Sequence, residues 1–172
     1  MPELIPVLSK EKIDKLVYAL AEKISSDYNG HTLVLIGVLK GAFVFLADLL
    51  RYLTIPVEVE FLRAASYGSG TTSSGKVQLT SEIGINIQNK DILIVEDIID
   101  TGLTVDRILR HLKSHHPRSL KTCTFIDKHE RRTKEIAIDY ACYQAQEGFL
   151  VGYGLDYNEN YRHLPELYHL KL

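Results

Sequence analysis

The sequence predicts a mainly parallel, twisted α/β sheet with helices on both faces. Three observations carry that prediction. Apolar, β-branched runs at Thr32–Val38, Ile92–Val95 and Leu120–Ile126 read as strands buried on both faces. Helical apolar spacing separates them, at Ile13, Leu16, Val17, Leu20 and Ile24, again through Ala42–Leu53, and at Val105, Ile108, Leu109 and Leu112. Strand and helix signals alternate along the chain, which favours parallel pairing with helices covering each face.

Ser9 is placed to cap the first helix, which Asn29-Gly30 ends. The first buried strand, Thr32–Val38, leads through the turn Leu39-Lys40-Gly41 into the second helix, which breaks before Pro56. Val57, Val59 and Phe61 alternate with Glu58 and Glu60, as in a strand exposed on one face. Residues 66–75, Ser-Tyr-Gly-Ser-Gly-Thr-Thr-Ser-Ser-Gly, have no apolar periodicity and predict a mobile hairpin tip, with Val77–Thr80 returning antiparallel. Further strands are expected at Leu120–Ile126, Ile136–Cys142 and Phe149–Gly152, with a last short apolar piece at Leu167–Leu170. No internal repeat and no linker divides the 172 residues, a length that suits one domain, 1–172, with a small appended subdomain.

An apolar fraction of 45%, a charged fraction of 24% and a net charge of −2 are those of an ordinary soluble globular chain. That charge gives no pull toward nucleic acid or an anionic membrane. Cys123 and Cys142 form no close-spaced metal or redox pair and read as buried free thiols, which fits a reducing compartment. The opening Met-Pro-Glu-Leu-Ile-Pro lacks signal-peptide features, and no apolar run approaches bilayer length. The expectation is a cytoplasmic protein.

The chemistry is concentrated in Asp91–Thr104. Glu96 and Asp97 follow the apolar run where the strand is expected to end, Asp100 comes after two more apolar residues, and Thr101-Gly102-Leu103-Thr104 enters a helix. Ligands of open α/β sheets bind at the carboxyl ends of strands. A turn opening a helix offers free N–H groups to an anion. Three carboxylates within five residues repel one another unless a cation or hydroxyl groups fill the space. Carboxylates beside a phosphate-shaped turn suit a sugar phosphate.

Other signatures are absent. Gly37-Val38-Leu39-Lys40-Gly41 lacks P-loop spacing, and no Gly-x-Gly-x-x-Gly follows a strand. His115-His116 reads as a solvated pair at a helix end. Lys40, between strand and helix, is either a surface turn lysine or part of a diphosphate contact centred on Gly41. Lys128, at a strand end, can donate to a carbonyl or phosphate oxygen. Arg162 lies beside Asp156, so a structural ion pair is the plainer reading. Phe149 is either core or a platform for a flat base.

Val95–Thr104 resembles the phosphoribosyl-pyrophosphate motif of the type I phosphoribosyltransferases. Leu-Lys-Gly at 39–41, Ser-Tyr-Gly at 66–68, Asp127-Lys128, the segment 149–159 and Arg162 extend the likeness over nearly the whole chain. The late Gly-Tyr-x-Leu-Asp-Tyr-Asn-Glu segment makes it most similar to the 6-oxopurine, hypoxanthine-guanine branch. The resemblance implies the type I fold with a small hood from the N- and C-terminal segments and a flexible lid over about 66–76. It implies purine salvage: hypoxanthine or guanine and phosphoribosyl pyrophosphate give IMP or GMP and pyrophosphate, with Mg2+. It implies that Glu96 and Asp97 serve the ribose and metal, and that Asp100 is the acid/base group facing purine N7. Asp100, Thr101, Gly102, Leu103 and Thr104 are implied to wrap the 5′-phosphate. Leu103 carries no charge, so that contact rests on the backbone. Leu39, Lys40, Gly41 and Arg162 are implied to meet the pyrophosphate, with a cis peptide common before the lysine. Lys128, Phe149 and Leu150 are implied to hold the purine. Asp156 is implied to line that pocket and to serve a second metal site. Ser66 and Tyr67 are implied to close over the reaction centre. Homodimers or homotetramers are implied too.

Two rivals come from other classes. A nucleotide-sensing RNA-binding regulator on the same fold wants a basic face, which the charge does not supply. A phosphatase using Asp97 as nucleophile needs two aspartates spaced by one residue, whereas Asp97 and Asp100 are separated by two.

Overall fold

The computed structural model describes residues 2–66 and 76–172. In chain order the elements are β1 (Glu3–Leu8), α1 (Lys10–Asp27), β2 (Leu33–Leu39), α2 (Phe43–Tyr52), β3 (Val57–Ser66), β4 (Val77–Leu79), β5 (Asp91–Ile99), α3 (Leu103–Lys113), β6 (Ser119–Lys128), β7 (Tyr140–Ala145), β8 (Leu150–Val151) and β9 (Leu167–Lys171). Six strands form one sheet in the order β4-β3-β2-β5-β6-β7, parallel except for the β3–β4 pair. The mainly parallel architecture matches the expectation.

The burial of β2 and β5 follows from period-2 alternation. Leu33, Leu35, Leu93 and Val95 pack with Ile13, Val17 and Ile24 of α1 and with Phe45 and Leu49 of α2. Their neighbours Val34, Ile36, Ile92 and Ile94 point the other way and pack with Ile108 and Leu112 of α3. One face therefore carries two helices and the other carries one. Ser9 caps α1 by accepting from the Lys12 N–H at 3.2 Å. Val105, Ile108 and Leu112 are the buried positions of α3, as their spacing predicts.

Three expectations require correction, and one strand was not expected. The chain begins with a strand, β1, which pairs antiparallel with β9; β8 pairs with the other edge of β9 in a second, three-stranded sheet. Its short segments, separated by most of the chain, carry no local signal of their pairing. The strand expected to end near Val95 continues to Ile99, so Glu96 and Asp97 lie inside β5. The strand expected at Ile136–Cys142 lies at Tyr140–Ala145, because Asp139 first docks on Thr122 through both backbone and carboxylate. Cys123 is buried as expected, whereas Cys142 is partly accessible; both are free thiols. The lid reading of 66–76 falls mainly on Tyr67 and the residues through 75, which lie outside the described residues.

Register places the site. Gly37 of β2 lies opposite Val95 of β5, and Ile99 of β5 lies opposite Asp127 of β6. The carboxyl ends of these strands therefore deliver Leu39–Gly41, Ile99–Thr104 and Asp127–Lys128 to one end of the sheet.

Candidate active site

A cavity of about 450 Å³ opens there, lined by Leu39, Gly41, Glu96, Asp97, Asp100, Thr101, Gly102, Thr104, Val105, Asp156 and Arg162. Its floor is β5 and one wall is the start of α3. Gly102 takes φ +86 at the N-cap, a left-handed conformation that glycine adopts without steric cost. The Leu103 N–H donates to Thr101 Oγ1 at 3.3 Å, and helix geometry leaves the next N–H groups of the turn without intrahelical partners. Those donors and the helix dipole favour an anion.

Glu96 is buried inside β5, 6% exposed, and accepts from the Asp97 N–H at 3.1 Å. Burial, reinforced by the adjacent Asp97 charge, pushes its carboxyl well above the usual range. Burial also raises Asp97, against the Ile98 N–H, which donates to Oδ1 at 2.8 Å, and against the field of Arg162. The folded protein thus holds a proton that the unfolded chain has released above about pH 4.5. The unfolded state binds fewer protons in that window, so stability falls as pH rises through it, by at most about 1.4 kcal/mol per pH unit per proton. Glu96→Gln is expected to flatten this decline in a series of melting curves from about pH 5 to about pH 8. A parallel decline in both proteins would contradict the assignment.

Asp100 lines the same cavity with its carboxylate divided. Oδ2 accepts from Arg131 Nε at 3.0 Å and from Nη2. Oδ1 is buried with no hydrogen-bond partner among the described residues. It is a buried acceptor without a partner, which leaves the carboxylate unused capacity for a proton.

On the opposite wall, the Leu39–Lys40 peptide bond is cis and the Gly41 Cα faces Asp97. Lys40 Nζ lies 2.9 Å from Glu159 Oε2. Arg162 Nη2 lies 3.1 Å from Asp156 Oδ1 and 3.2 Å from Glu159 Oε1, and Nη1 donates to the Gly154 carbonyl at 2.8 Å. The Asp156–Arg162 pair expected from sequence is present, and both partners line the cavity.

Among the described residues no three His, Cys, Asp or Glu side chains converge into a protein-only metal site. The candidate donors here are the hard oxygens of the Glu96, Asp97 and Asp156 carboxyl groups, and a bound cation would favour their charged forms. That set fits Mg2+, which one or two carboxylates hold together with substrate oxygens.

The model of the phosphoribosyl transferase domain matches residues 7–158. The chain belongs to the phosphoribosyltransferase family. It is 44% identical over 163 residues to the hypoxanthine-guanine phosphoribosyltransferase of Aquifex aeolicus, covering 94% of this chain and 92% of that relative. It is 42% identical over 161 residues to the hypoxanthine phosphoribosyltransferase of Buchnera aphidicola, covering 92% and 91%. The crystal structure of a hypoxanthine-guanine phosphoribosyltransferase from Bacillus anthracis, with HEPES in its active site, superposes with a TM-score of 0.92 at 39% identity. All of both chains is covered. The fold is thus that of the type I phosphoribosyltransferases.

In this phosphoribosyltransferase the residues singled out in the sequence fall into two groups. Leu39, Gly41, Glu96, Asp97, Asp100, Thr101, Gly102, Thr104, Asp156 and Arg162 share the cavity. Lys40, Leu103, Lys128, Phe149 and Leu150 lie outside its lining. Lys128 is buried, with Nζ 3.3 Å from Glu130 Oε2. Phe149 is 44% exposed and meets Tyr157 edge-on at 5.5 Å. Leu150 is buried in β8. Ser66 ends β3.

Sequence reasoning passed over Arg131, Arg132 and Glu159. Arg132 donates to the Asp100, Ile99 and Lys128 carbonyls at 2.8, 3.0 and 3.1 Å and to Asp127 Oδ1 at 2.7 Å, lashing the end of β6 to the turn after β5. The visible signal was an Arg-Arg pair shortly after Asp127, flanked by Glu130 and Glu135.

Two glycines give contrasting predictions. A Cβ on Gly41 would lie 1.8 Å from Asp97 Oδ2, so Gly41→Ala displaces that carboxylate and is expected to act mainly on activity, through a raised KM for the sugar phosphate. A Cβ on Gly154, at φ +96, would lie 2.5 Å from the Gly41 carbonyl, a backbone atom that cannot swing aside. Gly154→Ala should therefore cost stability, about 1–3 kcal/mol by overpacking alone, read from denaturant midpoints.

Proposed function

We infer that the protein transfers the 5-phosphoribosyl group from phosphoribosyl pyrophosphate to hypoxanthine or guanine, giving IMP or GMP and pyrophosphate. The observation that carries this reading is one cavity lined by the buried Glu96 and the half-buried Asp97, by Asp100 with its unpartnered Oδ1, and by the first turn of α3. The similar enzymes from Aquifex and Buchnera are transferases of the same class, and no observation favours the RNA-binding regulator.

In the reaction the bond between the anomeric carbon and the diphosphate oxygen breaks, and a bond to a purine nitrogen forms. Positive charge develops on the ribose, negative charge on the leaving group, and the base loses a proton. The Thr101–Thr104 turn holds the 5′-phosphate through N–H groups and hydroxyls already in place, so little reorganisation is needed. Glu96 and Asp97 orient the ribose hydroxyls beside the anomeric carbon. Asp100 Oδ1 accepts the purine proton while Arg131 fixes the other carboxylate oxygen. Lys40 and Arg162, with the backbone of Leu39–Gly41, receive the pyrophosphate. Lys128 donates to the 6-oxo group, Phe149 stacks on the ring, and the Leu150 backbone bonds its edge. Glu96, Asp97 and Asp156 would hold Mg2+, which neutralises charge on the diphosphate when bound.

The β1-β9-β8 sheet serves as the hood over the base. A homodimer or homotetramer is the expected assembly; Phe43, Val59 and Phe61 leave large apolar area on the surface. Among the described residues no helix is long and apolar enough to cross a membrane, and the free thiols fit a cytoplasmic setting. The test is a spectrophotometric assay of hypoxanthine, guanine and xanthine with phosphoribosyl pyrophosphate and Mg2+. Turnover of hypoxanthine or guanine with release of one pyrophosphate is expected. A folded protein that turns over no 6-oxopurine would overturn the reading.

A further inference from the structure

Both side-chain cations assigned to the diphosphate are already bridged by one carboxylate. Glu159 Oε2 lies 2.9 Å from Lys40 Nζ, and Oε1 lies 3.2 Å from Arg162 Nη2. The residue reaches them from a tight turn in which Asn158 and Glu159 both take left-handed backbone, φ +50 and +63. That turn is pinned by the Glu159 N–H donating to Asp156 Oδ2 at 2.8 Å and by paired Tyr157–Asn160 backbone bonds at 3.0 and 3.1 Å. The carboxylate thus arrives on a built support from 119 residues beyond Lys40. It is accessible, with the side chain 64% exposed. Lys40 and Arg162 hold it in its charged form, below the usual carboxylate range.

We propose that Glu159 is a resident competitor of the diphosphate, occupying Lys40 and Arg162 in the empty site and returning to them as pyrophosphate departs. The proposal rests on the reading of these two cations as diphosphate ligands. A bridging carboxylate presents two oxygens to two cations, as a diphosphate does, but with a single negative charge. A diphosphate carries more charge and displaces it; the displaced carboxylate then stands beside the bound anion as a like charge. Both effects weaken diphosphate binding and favour release, while keeping Lys40 and Arg162 positioned between turnovers.

The test is the inhibition constant of pyrophosphate against phosphoribosyl pyrophosphate, at fixed Mg2+, for the wild type, Glu159→Gln and Glu159→Ala. Removing two accessible ion pairs is expected to tighten pyrophosphate by about two- to thirtyfold in both variants, with a gap that narrows as salt rises. A merely structural role predicts the reverse, because freed cations would bind pyrophosphate more weakly. Unchanged or weakened inhibition in either variant, at unaltered melting temperature, would overturn the proposal. If the wild type catalyses transfer but pyrophosphate does not compete, the diphosphate assignment of Lys40 and Arg162 falls, and the proposal with it.

Discussion

Asp100→Asn lowers the turnover number for hypoxanthine by about 10²–10⁴-fold, the span general acid–base help typically contributes. The residue lines the cavity with one carboxylate oxygen on Arg131 and the other buried and unpartnered. Asparagine keeps the shape and can still offer its carbonyl oxygen to the guanidinium. What it cannot do is take a proton at the unpartnered position, where an N–H2 group would now stand. The loss is therefore expected in turnover, with a smaller effect on the KM for phosphoribosyl pyrophosphate, whose phosphate is proposed to sit on the backbone of the same turn. Steady-state kinetics alongside a melting curve separates this from misfolding. A variant with near-normal turnover would remove Asp100 from the proton step.

Arg132→Ala is expected to cost about 3–5 kcal/mol of folding stability, the range for breaking a buried ion pair by deleting one partner. Asp127 is buried, the Arg132 side chain is 13% exposed, and Nη2 alone meets Asp127 Oδ1 and two carbonyls, while Nε meets a third. Deletion leaves the Asp127 carboxylate with His129 as its other side-chain partner, 3.0 Å away, and strips three carbonyls of a charged donor. The bonds to Ile99 and Asp100 hold the turn proposed to cradle the phosphate, so activity should fall with stability. Arg132→Lys restores little, because one ammonium cannot reproduce a planar fork reaching four acceptors. Denaturant midpoints give the measurement. A loss below about 1 kcal/mol would mean that water replaces the brace, as at exposed ion pairs.

The parts of the fold legible in the sequence were those with a local cause. The Ile92–Val95 run could only be buried on both faces, and α3 announced itself through Val105, Ile108 and Leu112. Strand ends were less legible. Glu96 and Asp97 look like termination signals, yet β5 runs through them, because Glu96 gains a parallel partner in Thr124 that lies far along the chain. The same limit hid β1, whose partner β9 begins at Leu167. At the site, the carboxylates and the Thr-Gly-Leu-Thr turn were visible because their chemistry is crowded into one stretch. The ion pairs that set their state were not. Arg131 on Asp100, Arg132 on Asp127 and Glu159 on Lys40 are charge pairings that only the folded loops create.

The central claim is that substrate occupies the carboxyl ends of β2, β5 and β6. A second, more apolar cavity of about 820 Å³ lies between α1, α2 and the Tyr153–Pro165 segment, with Phe43, Tyr52 and Leu164 in its walls. It lacks the Glu96–Asp97 pair and the α3 N-terminus, so nothing in its walls offers a sugar phosphate the same contacts. A crystal structure with phosphoribosyl pyrophosphate, Mg2+ and an unreactive hypoxanthine analogue decides between the two. The account predicts the 5′-phosphate on the Thr101–Thr104 turn, the diphosphate at Leu39–Gly41 and Arg162, and the base between Lys128 and Phe149. Substrate lodged between α1 and α2, with the α3 N-terminus empty, would contradict it.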